Sequence, residues 1–172
     1  MDRRTFLKYG VVGGALLVVG GSGLALWKGA LTFTPRRALR VMDDLAFNVT
    51  AAAAQAVVSV PDADAAELAH RVDEQLEHTT PEARTDFLKM TRALNSPLLG
   101  LILDGRPTPF LALDVSSRAQ VLRQWGRSGL EVRRQAYHSM RKLCASAYYV
   151  DKASWLGIGY PGPPNLALVE TP

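Results

Sequence analysis

Thr80-Pro81-Glu82-Ala83-Arg84-Thr85-Asp86-Phe87-Leu88-Lys89-Met90-Thr91-Arg92-Ala93-Leu94-Asn95-Ser96-Pro97 is the stretch that decides the fold class. Thr80 offers a hydroxyl to the orphan N–H groups of a first helical turn. Pro81 has the φ that such a turn requires and lacks only an N–H that the turn cannot use. Behind this cap Phe87, Leu88, Met90, Ala93 and Leu94 recur at three- and four-residue spacings, the period of one helix face. Ser96-Pro97 breaks the pattern.

The same punctuation extends in both directions. Thr34-Pro35 predicts a helix start followed by Leu39, Met42, Leu45, Ala46 and Val49. Ala51–Val60 prolongs that helix and Pro61 closes it. Asp62 or Asp64 caps a second helix with Leu68, Val72 and Leu76 on one face. After Pro97, the run Leu98–Leu103 is expected as a short buried turn or helix, and 104–109 as a loop. Ser116 or Ser117 opens a further helix through Val121, Leu122 and Trp125. Gly126 to Gly129 interrupts it, and a last helix spans about 130–147. No strand-like alternation runs beyond a few residues, and there is no internal repeat. The expected fold is all-α. A compact helical bundle over 31–147 follows a signal or anchor segment at 1–30 and precedes an irregular tail at 148–172 rich in aromatics, Pro and Gly.

A chain of 172 residues with 48% hydrophobic and 21% charged side chains has room for one core and is not disordered in composition. Its net charge of +4 comes mainly from the leader: residues 1–30 hold four basic side chains against Asp2, and 31–172 hold 16 basic against 15 acidic. That distribution argues against nucleic acid as a partner. Cys144 is the one cysteine, so an internal disulfide, a thiolate zinc site and a cysteine-held iron–sulfur cluster are excluded; among Leu143, Ala145 and Ala147 it reads as a small buried side chain. His70, His78 and His138 lack metal-ligand spacing and read as surface or capping residues. Asp43-Asp44 and Asp73-Glu74 are adjacent on helices, point different ways and read as solvated. Asn48-Val49-Thr50 matches the glycosylation sequon, a match that the leader described below deprives of weight. No Gly-rich phosphate loop follows a strand. No catalytic, cofactor-binding or metal-binding residue is assigned to this chain.

The leader reads Asp2-Arg3-Arg4-Thr5-Phe6-Leu7-Lys8 and resembles the twin-arginine export signal, carried by Arg3, Arg4, Phe6, Leu7 and Lys8. Tyr9–Trp27 follows without a charge and is diluted by six glycines, as such leaders tend to be. Cleavage after Ala25 and retention as a membrane anchor are both open. The signal implies export by the twin-arginine translocase to the periplasm or the periplasmic face of the inner membrane. That pathway carries folded proteins, usually with a cofactor already inserted, yet the chain behind the signal offers no place for one.

Two segments stand out as partner surfaces. Arg118–Lys142 holds seven basic side chains against Glu131 alone; it reads as a solvated helix face or as a surface whose Arg127 and Arg134 suit an acidic partner, or anionic lipid heads beside the leader. In the tail, Tyr148, Tyr149, Trp155 and Tyr160 crowd into thirteen residues, followed by Pro161-Gly162-Pro163. Such a segment is poor in backbone donors and is expected to lie on something, either its own bundle or a partner that its aromatics anchor.

The Arg3–Lys8 leader, the Phe110-x-x-Leu113 stretch before Arg118 and Leu122, and the run from Tyr148-Tyr149 through Trp155 to Ile158-Gly159-Tyr160-Pro161-Gly162-Pro163 together resemble the gluconate 2-dehydrogenase subunit 3 family. The turn Val60-Pro61-Asp62 departs from the acidic Pro-containing turn often found there. The resemblance implies a non-catalytic accessory small subunit that exports a signal-less flavin dehydrogenase as a hitchhiker and stabilises it. The implied partner is a large FAD-dependent catalytic subunit of the glucose–methanol–choline class, with a cytochrome c subunit as a further candidate. FAD is then expected in the partner and not in this chain. The competing expectation is a stand-alone periplasmic or membrane-tethered enzyme or binding protein.

Overall fold

In the computed structural model, residues 29–60 and 63–162 are described. Among them the regular structure is helical throughout: α1 (Asp44–Val58), α2 (Ala65–Glu77), α3 (Pro81–Asn95), α4 (Pro97–Asp104), a 3-10 turn (Phe110–Ala112), α5 (Val115–Gly126), α6 (Glu131–Tyr149) and α7 (Ala153–Leu156). The leader residues Arg3, Arg4, Phe6, Leu7 and Lys8, the break at Pro61-Asp62, and Pro163 lie outside the described residues. No described helix is long and apolar enough to cross a membrane.

α1 is the axle of the bundle, packed against α2, α3, α5 and α6. Its centre, Ala51-Ala52-Ala53-Ala54, is fully buried, and these small side chains let the surrounding helices approach closely. Around it Phe47, Leu94, Phe110 and Met140 are at most 1% exposed. Burying each contributes about 1.5–3 kcal/mol. Asn48 and Thr50 of the sequon are also buried, which bears out the reading of that match as noise.

Local capping chemistry set several boundaries as expected. The Thr80 hydroxyl accepts the Ala83 N–H at 3.3 Å, and Asp64 accepts those of Ala66 and Glu67. Elsewhere the structure corrects the sequence reading. α5 is capped by Asp114, not Ser116 or Ser117. Both serine hydroxyls donate to the Asp114 carboxylate, as does the Ser117 N–H, and hold it well below the usual carboxylate range. Leu98–Leu103 does form a helix, capped by Ser96, but its large side chains are exposed and not buried. α6 runs through Tyr149, so Tyr148 and Tyr149 belong to a helix and not to the irregular tail.

The largest correction is at Thr34-Pro35. No helix starts there; residues 30–43 form a non-helical strap laid along α2. The N–H groups that a helix would have paired internally go to α2 side chains. Arg36 N–H donates to His70 Nε2 at 3.0 Å, and Arg40, Val41 and Met42 donate to the Asp73 carboxylate at 2.7, 3.1 and 2.8 Å. Arg36, Arg37 and Arg40 then pair outward with Asp64, Glu67, Glu74 and Glu77. Asp73 and His70 are each 1% exposed, so the expectation of a solvated carboxylate and a surface histidine fails at both. Burial, reinforced by Arg37, lowers the His70 pKa and keeps the ring neutral, as an acceptor of an N–H must be. His78 caps α2 as expected, and His138 is exposed.

Candidate partner interface

α6 ends at Tyr149, and the chain then folds back on itself. The N–H groups of Ser154, Trp155, Ile158 and Gly159 bond to the carbonyls three residues back, and Tyr160 N–H returns to Trp155 O at 3.0 Å. Although the segment is poor in backbone donors, residues 151–160 of the tail thus carry hydrogen bonds of their own. Trp155 is its centre. The indole Nε1 donates to Tyr149 O at 2.8 Å, and the ring meets Tyr160 edge-on with centroids 5.3 Å apart. Gly162, at φ 104°, comes so near that a Cβ there would lie 3.3 Å from the indole. The backbone conformation thus favours glycine, and the space left for a side chain is tight.

The tail is tied to the bundle by Arg71 of α2, which donates to Ala147 O at 3.1 Å and to the Asp151 carboxylate at 3.3 Å. Tyr148 packs partly against the core and meets Tyr149 edge-on at 5.2 Å. What this unit turns outward is largely aliphatic: Leu156 is 87% exposed, Val150 67% and Ile158 57%, beside the half-exposed Tyr149 and Tyr160. Pro161 is exposed next to them. Four of the expected contact residues, Tyr149, Trp155, Tyr160 and Pro161, are thus gathered in one knob, with Trp155 as its internal brace. Val150, Leu156 and Ile158 were missed. Their signal was present in the sequence, as aliphatic residues in a Gly-rich segment too short to bury them, but the aromatics masked it.

Arg127 and Arg134 are not part of this knob. Arg127 is the exposed cap at the end of α5, and Arg134 in the first turn of α6 donates to Ser128 O and pairs with Glu131. The nineteen residues of α6 run from this end to the tail, roughly 28 Å at 1.5 Å per residue. Two other arginines of the basic segment turn inward. Arg118 donates to Phe110 O, Leu111 O and Gln55 Oε1, so the Phe110–Arg118 pattern is a structural latch. Arg133 pairs with Asp104 at 2.5 Å and stacks on Trp125 at 5.0 Å. Cys144 is fully buried and its thiol is pushed up to about 12, which suits packing and not nucleophilic chemistry. No group of three or more His, Cys, Asp or Glu side chains among the described residues could hold a metal ion.

The family model described as gluconate 2-dehydrogenase subunit 3 matches residues 44–162, from the first residue of α1 to the glycine that closes on Trp155. No curated protein and no solved structure matches the chain.

Proposed function

This chain belongs to the gluconate 2-dehydrogenase subunit 3 family, and from that membership we propose that it is the non-catalytic subunit that escorts and stabilises a flavin-dependent dehydrogenase. The observation that carries the reading is the extent of the match, which takes in the bundle and the exposed aliphatic knob together. In this reading the large subunit is of the glucose–methanol–choline class, holds the FAD, and seats on Leu156, Ile158, Tyr149 and Tyr160. The Arg3-Arg4 leader supplies the twin-arginine address for both chains, which reach the periplasm already folded.

The partner test uses side chains that the knob does not need for its own packing. Leu156→Asp with Ile158→Asp places charge on an exposed surface, so the isolated chain keeps its melting temperature. Pairing with the large subunit weakens by roughly 2 kcal/mol or more, about 30-fold. Trp155→Ala removes the internal brace and lowers the melting temperature as well. Undiminished co-purification of the large subunit with the double Asp variant would refute the knob as its seat. For export, Arg3→Lys with Arg4→Lys keeps the charge but removes the planar guanidinium forks. Both subunits then accumulate in the cytoplasm, and normal envelope delivery of that variant would refute the address.

A further inference from the structure

α4 reads Pro97-Leu98-Leu99-Gly100-Leu101-Ile102-Leu103-Asp104, and only Pro97 and Gly100 are buried. Leu98, Leu99, Leu101 and Leu103 remain 37% to 44% exposed and Ile102 68%. Leu99 and Leu103 join Leu130 and Val132, exposed at 50% and 70%, around an apolar cleft of about 200 Å³ backed by Trp125. Residues 97–103 hold no charge, and Asp104 is turned inward onto Arg133. A helix apolar on every side is normally buried on every side; this one is covered on one side only.

The chain itself indicates what lies opposite. Gly29, at φ 75°, packs so closely on the 3-10 turn that a Cβ would lie 3.1 Å from Leu111 Cβ and 3.2 Å from Ala112 N. Leu111 N–H in turn donates to Asn95 Oδ1 at 3.0 Å, and Asn95 stands two residues before α4. The leader therefore joins the bundle beside the start of α4, and Leu31, just past the junction, is 52% exposed. Ahead of Gly29, Tyr9–Trp27 offers nineteen uncharged residues, close to the ~20 that a membrane-spanning segment needs. The exposed side chains of the face are aliphatic, with Trp125 and Arg133 turned inward on each other, so it lacks the exposed Tyr, Trp and Arg anchors that dominate protein interfaces, and lipid asks for no shape complementarity. Exposed Arg127, three residues before Leu130, supplies a cation at its border for anionic headgroups. The tail knob lies at the far end of α6, so a partner seated there leaves α4 uncovered.

We propose that the leader is retained as an anchor and that the apolar face of α4, with Leu130 and Val132, rests on the lipid surface to which it tethers the chain. The inference does not depend on which enzyme the tail receives. Its test is the depth of a probe at Ile102. Cys144 is buried with its thiol pushed up to about 12, so it stays unlabelled, and Ile102→Cys can be tagged with a polarity-sensitive fluorophore. The full chain, leader included, is reconstituted on vesicles of phosphatidylethanolamine and phosphatidylglycerol carrying a nitroxide lipid. A probe seated ~5–10 Å into the headgroup–acyl boundary shifts to the blue and loses about half its emission or more to the nitroxide. The same probe at Leu156→Cys stays in water and keeps its emission. If Ile102→Cys disturbs folding, Val132→Cys on the same cleft replaces it. An Ile102 probe untouched by the lipid nitroxide overturns the proposal, whether it is open to iodide or shielded by the leader. So does pyrene excimer emission at Ile102 that grows with the chain-to-lipid ratio, which would assign the face to a second copy.

Discussion

Replacing Asp73 with alanine removes the acceptor of three backbone N–H groups at once, those of Arg40, Val41 and Met42. Stranding a buried donor costs roughly 1–3 kcal/mol each. Asp73 is 1% exposed, so water cannot take its place without movement of the strap. The low end of the sum, about 3 kcal/mol, is the expected loss, because the strap can peel away and hydrate its donors instead of bearing the full penalty. On a chain of this size that corresponds to a fall in melting temperature of about 6–12 °C. Circular dichroism melts give the global figure, and native-state hydrogen exchange gives its location. The amides of Arg40, Val41 and Met42 lose protection first, while those of α1 fall only by the global amount. Glu74→Ala, which removes a solvent-exposed partner of Arg37, costs no more than about 1 kcal/mol. If Asp73→Ala melts within a degree of the parent, or if the three strap amides keep their protection, Asp73 is not what holds the strap.

Arg133→Ala leaves Asp104 buried without its partner and removes the stack on Trp125, so denaturant unfolding is expected to show a loss of about 3–5 kcal/mol. Arg134→Ala, one residue on and half-exposed, changes stability by less than about 1 kcal/mol. His70 gives a signed pH dependence. Its pKa is lowered in the fold, so the unfolded chain takes up the proton first, and stability is complete above about pH 6.5 and falls as the pH drops below it. Unfolding free energies measured downward from neutrality show that slope, and His70→Gln, whose amide oxygen still accepts but does not titrate there, abolishes it. Cys144 resists iodoacetamide in the native state near neutral pH and reacts only on unfolding, so labelling kinetics should track global opening.

Where a boundary is written in adjacent residues, the sequence is a sufficient guide. Thr80-Pro81 caps α3 because the hydroxyl and the N–H it serves are three residues apart. Thr34-Pro35 carries the same letters and starts nothing, because His70 and Asp73, more than thirty residues on, take the N–H groups that a helix would have used. Spacing rules see neither side chain. The same long reach explains why Asp73 looked solvated and why Arg118 and Arg133 looked like surface charge. At Ser116-Ser117 the error was local but chemical, since the neighbouring Asp114 is the better acceptor and takes both hydroxyls for itself. The aromatic cluster of the candidate interface was legible as a cluster. Which members face outward was not, because that depends on the fold-back that puts Trp155 behind Tyr160 and leaves Leu156 and Ile158 in front.

Glu67 has a consequence for mutational genetics. Its carboxylate is held by Arg37 of the strap at 2.9 Å and approached by Arg71 at 3.4 Å, and Arg71 reaches on to Asp151 at the root of the tail. A single carboxylate thus joins the strap to Arg71 of its own helix, the residue that ties down the tail. Freed of either arginine, it keeps the other, so the second loss weighs more than the first. Substitutions at Arg37 and Arg71 should therefore be epistatic, the pair costing more than the two alone, even though one side chain belongs to the strap and the other to α2. A scan that ranks positions one at a time would miss this coupling.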